Sequence, residues 1–416
     1  MKRTSFYDVA LIVFLVFVAL LIVSAFLVFN ISVARVLGGG GDFLLPWKAA
    51  RAFLFEQTEP YSGTVASFVQ SQVYGRLAVA GQDRYILTLP FHLLLLYFPF
   101  GLFRDATIAR GLWLFLSEAA LLALTFFSLH LTDWRPHRLF LILFFLFAAL
   151  SFYSLDSLFE GTPAIFLGLI YVGILLSLRL ELDELAGALI ALSLYQWEIG
   201  SLFLFFIALR VFHERRWRVL AGFLMISIPL LGISFFVYPG WILPFVRGVF
   251  ADWLVPYGFS PGMIFMHWWP ELGSQFGWAL TGVLLVVLIA EWSSARDAEF
   301  NRFYWASCLT LAFTPLFGFR SEIQNLAILL PPLALIFAIV RERWKAGYWL
   351  TVALLLFFFA APWYLLLKAS IASQQRDDLL FLFLPVFTVI GLYWIRWWAI
   401  RPPRTWLERA TRSEYR

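Results

Sequence analysis

The chain has 416 residues, of which 62% are hydrophobic and only 14% charged, where soluble domains carry roughly 25% charged residues. A water-facing protein needs a polar shell that this chain cannot supply, and its apolar residues fall in long blocks that read as membrane spans. The net charge of +5 comes from short Arg and Lys clusters between blocks, so nothing points to nucleic-acid binding, and the single cysteine, Cys308, excludes an intramolecular disulfide framework or a cysteine-built metal site.

The first apolar block, 8–30, is too long for a signal-peptide core and is followed by no evident cleavage site. Lys2 and Arg3 precede it, which predicts a cytoplasmic N-terminus. Further blocks lie near 85–103, 108–131, 139–152, 163–180, 185–209, 219–238, 276–290, 303–317, 323–340, 348–367 and 379–398. At roughly 20 residues per crossing, they predict about twelve spans, within eleven to thirteen. On that count the basic segments 210–218, 291–302 and 341–345 face the cytoplasm, as does the C-terminal tail 399–416. The basic segment 132–138 falls outside and breaks the pattern. The expected fold is all-α and polytopic, one transmembrane domain over residues 1–416.

Two outer loops are long, 31–84 and 239–275, and both are rich in aromatics. Loops of that length are functional or disordered, and this composition predicts order. The stretch 46–57 opens with a proline and sets Trp47, Ala50 and Leu54 along one side. It predicts an amphipathic helix on the membrane surface, with Lys48 and Arg51 sharing a face. No internal repeat or inverted pair of broken spans is visible in the sequence, which counts against a transporter.

Gly38-Gly39-Gly40-Gly41 precedes Asp42 just after the first block. The glycines let the backbone turn sharply and approach a ligand, and a half-apolar setting tunes a carboxylate's basicity. Asp42 is therefore either a reactive carboxylate or the N-cap of a following helix. Arg320 and Glu322 sit in a short turn between apolar blocks, where they form either a structural pair or part of a site. Glu198 lies inside an apolar block beside Gln196, so it must face a cavity or a partner. His267, followed by Trp268 and Trp269, lies in the second long loop and reads as a ligand contact or as an aromatic anchor. Asp42 has no adjacent acid and the five histidines are scattered singly, so neither a metal nor another cofactor is expected.

The motif Gly41-Asp42-Phe43 is followed by Trp47-Lys48-Ala49-Ala50-Arg51, Glu59-Pro60-Tyr61-Ser62, Gln70, Tyr74-Gly75, Tyr85 and Phe98-Pro99-Phe100-Gly101. In order and spacing this resembles the bacterial polyprenol-phosphate-mannose-dependent mannosyltransferases (glycosyltransferase family 87, the DUF2029 proteins) of the GT-C superfamily. The resemblance runs the length of the chain, but only the first hundred or so residues carry specific motifs. Glu59 stands where the family has Asp, Gln196-Trp197 where it has Lys-Pro, and the turn at Phe159-Glu160-Gly161-Thr162-Pro163 lacks the family's Gln.

The resemblance implies a GT-C-like membrane glycosyltransferase that moves a sugar, most simply mannose, from a polyprenyl-phosphate donor. The acceptor would be a glycan or glycolipid at the extracytoplasmic face, with membrane lipids around the donor's tail. Asp42 matches the family's base and would act in an inverting transfer. The donor phosphate needs cations, for which Arg320, Lys48, Arg51 and Arg84 are candidates, with Arg76 a further outer cation. Acceptor or sugar contacts fall to His267, Trp268, Tyr61, Glu322 and Gln324. The rival readings are a lipid or lipid-linked-saccharide transporter, and a non-catalytic scaffold of the same fold. A transporter would string polar groups through the bilayer, whereas an enzyme would gather them at one outer cavity.

Overall fold

A computed structural model describes residues 6–400 apart from 80, 256 and 369. The described residues are predominantly helical and contain no strand, only one isolated bridge between Phe259 and Ser321. Seven of their helices are long and apolar enough to cross a membrane: Val13–Val36, Ala106–Leu131, Trp217–Val237, Gly273–Ala295, Ile323–Arg343, Gly347–Leu367 and Ser373–Ala399. The pair Arg138–Leu150 and Phe152–Glu160, bent by 46°, makes an eighth if it is one span. The chain is thus an all-helical, multi-pass membrane protein. The tail 399–416 lies outside the described residues except for Ala399 and Ile400, as do Lys2 and Arg3.

The expected count of about twelve is not reached by length and composition. Block 85–103 breaks into the short turns Phe91–Leu94, Leu95–Tyr97 and Phe98–Gly101. Block 185–209 divides between Asp183–Ser193 and Trp197–His213. Block 163–180 is a helix of 16 residues, Ala164–Arg179, which reaches about 24 Å against a hydrocarbon core of roughly 30 Å. Block 303–317 is the 14-residue helix Phe300–Phe313 continued by one 3₁₀ turn.

Hydropathy does not distinguish the outside of the bundle from its centre. Val13–Val36 is only 6% buried within the protein, but Ile323–Arg343 is 83% buried. The first is a lipid-facing helix and the second an axial one. The axial helix and its neighbours Phe300–Phe313 and Ala164–Arg179 carry the larger apolar core. A second core, around Phe43, Trp47, Phe91, Tyr97 and Trp113, anchors the segment after the first span.

Among the described residues both long loops form helices. The first span continues as helix to Val36, six residues past its expected end, and is followed by helices Gly41–Phe55 and Gly63–Tyr74. The expected helix start at Pro46 is corrected to Gly41, with Pro46 inside the helix. Lacking an N–H, Pro46 leaves the Asp42 carbonyl without its intrahelical donor. Trp47 and Ala50 are buried as expected, and Trp47 donates to the Phe100 carbonyl at 3.1 Å, but Leu54 on the same side is exposed. The second loop contributes helices Ile242–Trp253 and Pro261–Trp268.

Candidate active site

The site begins at the glycine turn. Gly40 has φ +83°, and a side chain there would come within 2.4 Å of Arg110 Nε. A side chain at Gly41 would meet Tyr85 Oη at 2.3 Å. Only glycine fits both places. The N-cap of helix Gly41–Phe55 is Gly40, and no side chain caps it. Asp42 is therefore not the cap; it sits in the first turn, where the helix dipole favours a carboxylate.

Arg110 fixes this turn from behind. It is buried in the Ala106–Leu131 span and donates to the carbonyls of Leu37 at 2.7 Å, Gly38 at 3.0 Å and Phe159 at 2.8 Å. One guanidinium thus joins the end of the first span to the end of helix Phe152–Glu160. The sequence carried a signal for it: an arginine inside an apolar block has a task by default.

Asp42 opens onto a cavity of about 150 Å³ whose lining includes Asp83, Glu198, Asp252, Glu322 and Arg320. Five carboxyl groups thus face one guanidinium. Burial, then the neighbouring carboxylates of Glu160 and Asp83, push the Asp42 carboxyl up to about 8. Gln324 pulls the other way, with Nε2 at 3.5 Å from Asp42 Oδ2. Burial lifts Asp83 to about 6, while the Tyr85 backbone N–H, at 2.8 Å, holds it down. Glu322 is raised far above the usual carboxylate range by burial and by Asp42. Burial, with mutual repulsion added, therefore keeps Asp42 and Glu322 protonated near neutral pH, and the cavity is less negative than its count of acids implies.

Tyr85 packs beside Tyr74 with ring centroids 5.8 Å apart and adopts φ +49°, a conformation that bulky residues rarely take. Such strain gathers at functional sites. Gln196 and Glu198 both line the cavity, as an ionisable residue in an apolar block requires. They form no hydrogen-bonded pair, and Gln196 Oε1 is buried without a partner, an acceptor available to a ligand hydroxyl.

The candidate residues separate into groups. Asp42, Arg320 and Glu322 line one cavity, with Gln324 bonded to both acids. Arg320 and Glu322 do not pair directly: Arg320 binds the Asp252 carboxylate and donates to the Asp252 and Val255 carbonyls at 3.0 and 2.6 Å. Lys48 and Arg51 turn to Glu56, at 2.7 and 3.9 Å, and do not line the cavity. Arg84 is exposed and also outside the lining, and Arg76 bonds to the Leu77 carbonyl and Gln82. Tyr61 Oη is bound to the Leu89 carbonyl at 2.9 Å. His267 bonds to Asp378 at 3.2 Å and to Gln374 at 2.9 Å, and neither it nor Trp268 lines the cavity. Among the described residues no group of three or more His, Cys, Asp or Glu side chains is placed to hold a metal ion.

Sequence reasoning missed Arg110, as well as Asp252 and Tyr257, which both line the cavity, and gave Asp83 no part. Asp252 and Tyr257 lie in the second long loop, and Phe259 in that loop pairs with Ser321 through backbone bonds of 2.7 and 2.8 Å. Nothing in the sequence announces that pairing, which brings the loop beside Arg320. Compared with protein-family models the chain matches none, and no curated protein matches it.

Proposed function

We propose that this chain is a GT-C-type membrane glycosyltransferase, like the family-87 enzymes its early motifs resemble. It moves a sugar, most simply mannose, from polyprenyl phosphate to a glycan or glycolipid acceptor, with Asp42 as general base. In this reading the shorter helices complete about twelve crossings, both termini are cytoplasmic and the cavity opens to the extracytoplasmic face.

The observation that carries the reading is the shared cavity of Asp42 and Arg320, residues distant in sequence. The acceptor oxygen attacks the anomeric carbon while the bond from that carbon to the phosphate oxygen breaks. The acceptor proton passes to a carboxylate oxygen of Asp42, and polyprenyl phosphate leaves with the bonding electrons. Attack opposite the leaving group inverts the anomeric centre. The other carboxyls, some protonated, suit the donors and acceptors of sugar hydroxyls better than they suit a bare phosphate. Arg320, held by Asp252, then serves the phosphate at its end of the cavity. Intramembrane Glu118 accepts from Asn30 Nδ2 at 2.7 Å, so it has a hydrogen-bond partner inside the bundle.

The test is transfer of labelled sugar by the purified protein in liposomes containing polyprenyl-phosphate mannose and a lipid-linked glycan acceptor. Donor-dependent, metal-chelator-resistant transfer that stops with Arg320→Ala supports the reading. Absence of transfer with mannosyl and glucosyl donors alike refutes it.

A further inference from the structure

Helix Trp197–His213 has a cavity at each end. At its N-terminal end Gln196 and Glu198 line the acidic cavity. Its C-terminal half lines a second, of about 540 Å³, within the roughly 300–1,000 Å³ of ordinary ligand pockets. The walls are apolar: Phe205, Phe206, Leu209 and Phe212 on one side, Ile289 and Trp292 from the span Gly273–Ala295 on the other. Phe206 stacks on Trp292 with centroids 5.3 Å apart, and Trp292 Nε1 donates to Thr310 Oγ1 at 2.8 Å, so the floor is fixed. Phe205, Phe212 and Ile289 are exposed, which leaves the cavity open sideways where the span meets lipid.

Its polar rim differs from that of the acidic cavity. Arg210, His213, Ser293 and Arg296 line it, and no carboxylate does. Arg210 is neutralised by Glu214 at 2.6 Å. Arg296 is not: among the described residues it pairs with no carboxylate, and it donates from Nε and Nη2 to His213 Nδ1 at 3.0 and 2.8 Å. The other ring nitrogen of His213, Nε2, contacts the Asp297 carboxylate at 2.5 Å. The imidazole holds Arg296 at the rim, and the Asp297 carboxylate lies on the ring's far side, outside the cavity lining.

We propose that this cavity binds an anionic phospholipid, one acyl chain against the aromatic walls and the phosphodiester at Arg296. An apolar slot beside a span, ended by a guanidinium in direct contact with no carboxylate, matches such a lipid in both parts; basic pockets between transmembrane helices are a recurring way to hold anionic headgroups. A zwitterionic lipid fills the slot equally well but gains less at the rim, and a free phosphate gains nothing from the walls.

The experiment uses the full-length protein, delipidated in a neutral detergent. It is titrated with dioleoyl-phosphatidylglycerol, with dioleoyl-phosphatidylcholine, or with inorganic phosphate at equal ionic strength. Native mass spectrometry reads retained lipid, and thermal melting reads stabilisation. Phosphatidylglycerol is retained several-fold more than phosphatidylcholine and raises the Tm further, while inorganic phosphate raises it little. Arg296→Gln loses several-fold in retention, and so does Ser293→Trp, which fills the slot. Arg218→Gln, a cation outside the lining, retains the lipid as wild type does. Should Ser293→Trp fail to fold, Arg296→Gln, an exposed position, carries the test. Equal retention of the two lipids, unchanged retention in Arg296→Gln, equal loss in Arg218→Gln, or the same Tm rise from phosphate alone overturns the proposal.

Discussion

Gln324 brings its Nε2 to 3.5 Å from Oδ2 of Asp42, 282 positions earlier in the chain, and donates from the same nitrogen to Glu322. One amide is shared between two carboxyls, and at 3.5 Å its bond to Asp42 is weak. Asp42 thus keeps a high proton affinity, and a ligand hydroxyl that comes closer displaces the amide readily. The contact also joins the turn after the first span to the loop that carries Arg320, which is how distant motifs come to share a cavity.

If Asp42 is the base, Asp42→Asn keeps the fold and loses turnover by roughly 10²–10⁴-fold, the usual contribution of general-base catalysis. Loss of a cap cannot explain such a result, because Gly40 is the cap. Asp83 is no neutral control, since it lines the same cavity. Asp105 is: it caps helix Ala106–Leu131 by accepting from the Thr107 N–H at 2.8 Å, and Asn caps about as well. Labelled-sugar transfer by the three proteins decides the matter; near-normal transfer by Asp42→Asn sinks the mechanism.

The pH dependence follows from the same carboxyl. A base must be ionised, and burial with nearby acids holds Asp42 near 8. Turnover therefore rises with pH, about tenfold per pH unit well below 8, and levels off above it. Stability runs the opposite way. The folded state holds the Asp42 proton more tightly than the unfolded chain, where the value is 3.8. The stabilisation is complete below about 4 and is lost as pH rises through about 8. Melting curves at about pH 5 and about pH 9 should show wild type weakening more than Asp42→Asn. Equal weakening of the two would contradict the buried, proton-retaining carboxyl.

The sequence made the membrane character and the position of the glycine turn legible, because both are local: long apolar blocks, and four glycines before an acid. The span count was less legible. The block 185–209 is apolar almost throughout, yet Leu194, Tyr195 and Gln196 break its helix. In the site, Arg320 was readable from its turn, but its partner was not. Asp252 lies 68 residues away, in a loop whose bridge to Ser321 depends on tertiary packing. Lys48 and Arg51 looked available because their partner, Glu56, sits beyond the helix end and folds back over it.

That arrangement separates the cations by experiment. Lys48→Met removes a surface pair and changes stability by under about 1 kcal/mol. It should leave the donor KM unchanged, because Lys48 does not line the cavity. Arg320→Gln deprives the Asp252 carboxylate and two carbonyls of a donor, at a cost of roughly 1–3 kcal/mol. If Arg320 meets the donor phosphate, its KM rises as well. Donor titrations of both variants check this, and a KM raised by Lys48→Met alone would transfer the phosphate role to Lys48.

The glycine turn and Arg110 should behave as one unit. Gly40→Ala forces a side chain into a left-handed conformation, costing about 1–2 kcal/mol, and presses it to within 2.4 Å of Arg110 Nε. Arg110→Met removes the donor from the Leu37, Gly38 and Phe159 carbonyls, at about 1–3 kcal/mol for an acceptor left buried and unpaired. The double variant relieves the clash, because methionine is shorter and, unlike Arg110, is not pinned in place by hydrogen bonds to three carbonyls. Gly40→Ala should therefore cost less in the Arg110→Met background than alone, with a coupling of roughly 0.5–3 kcal/mol. Thermal unfolding of the four proteins in detergent closes the cycle, and transfer rates show whether Asp42 moves with the turn. Strict additivity would mean that Arg110 and Gly40 do not meet, and that the turn is held by something other than the guanidinium.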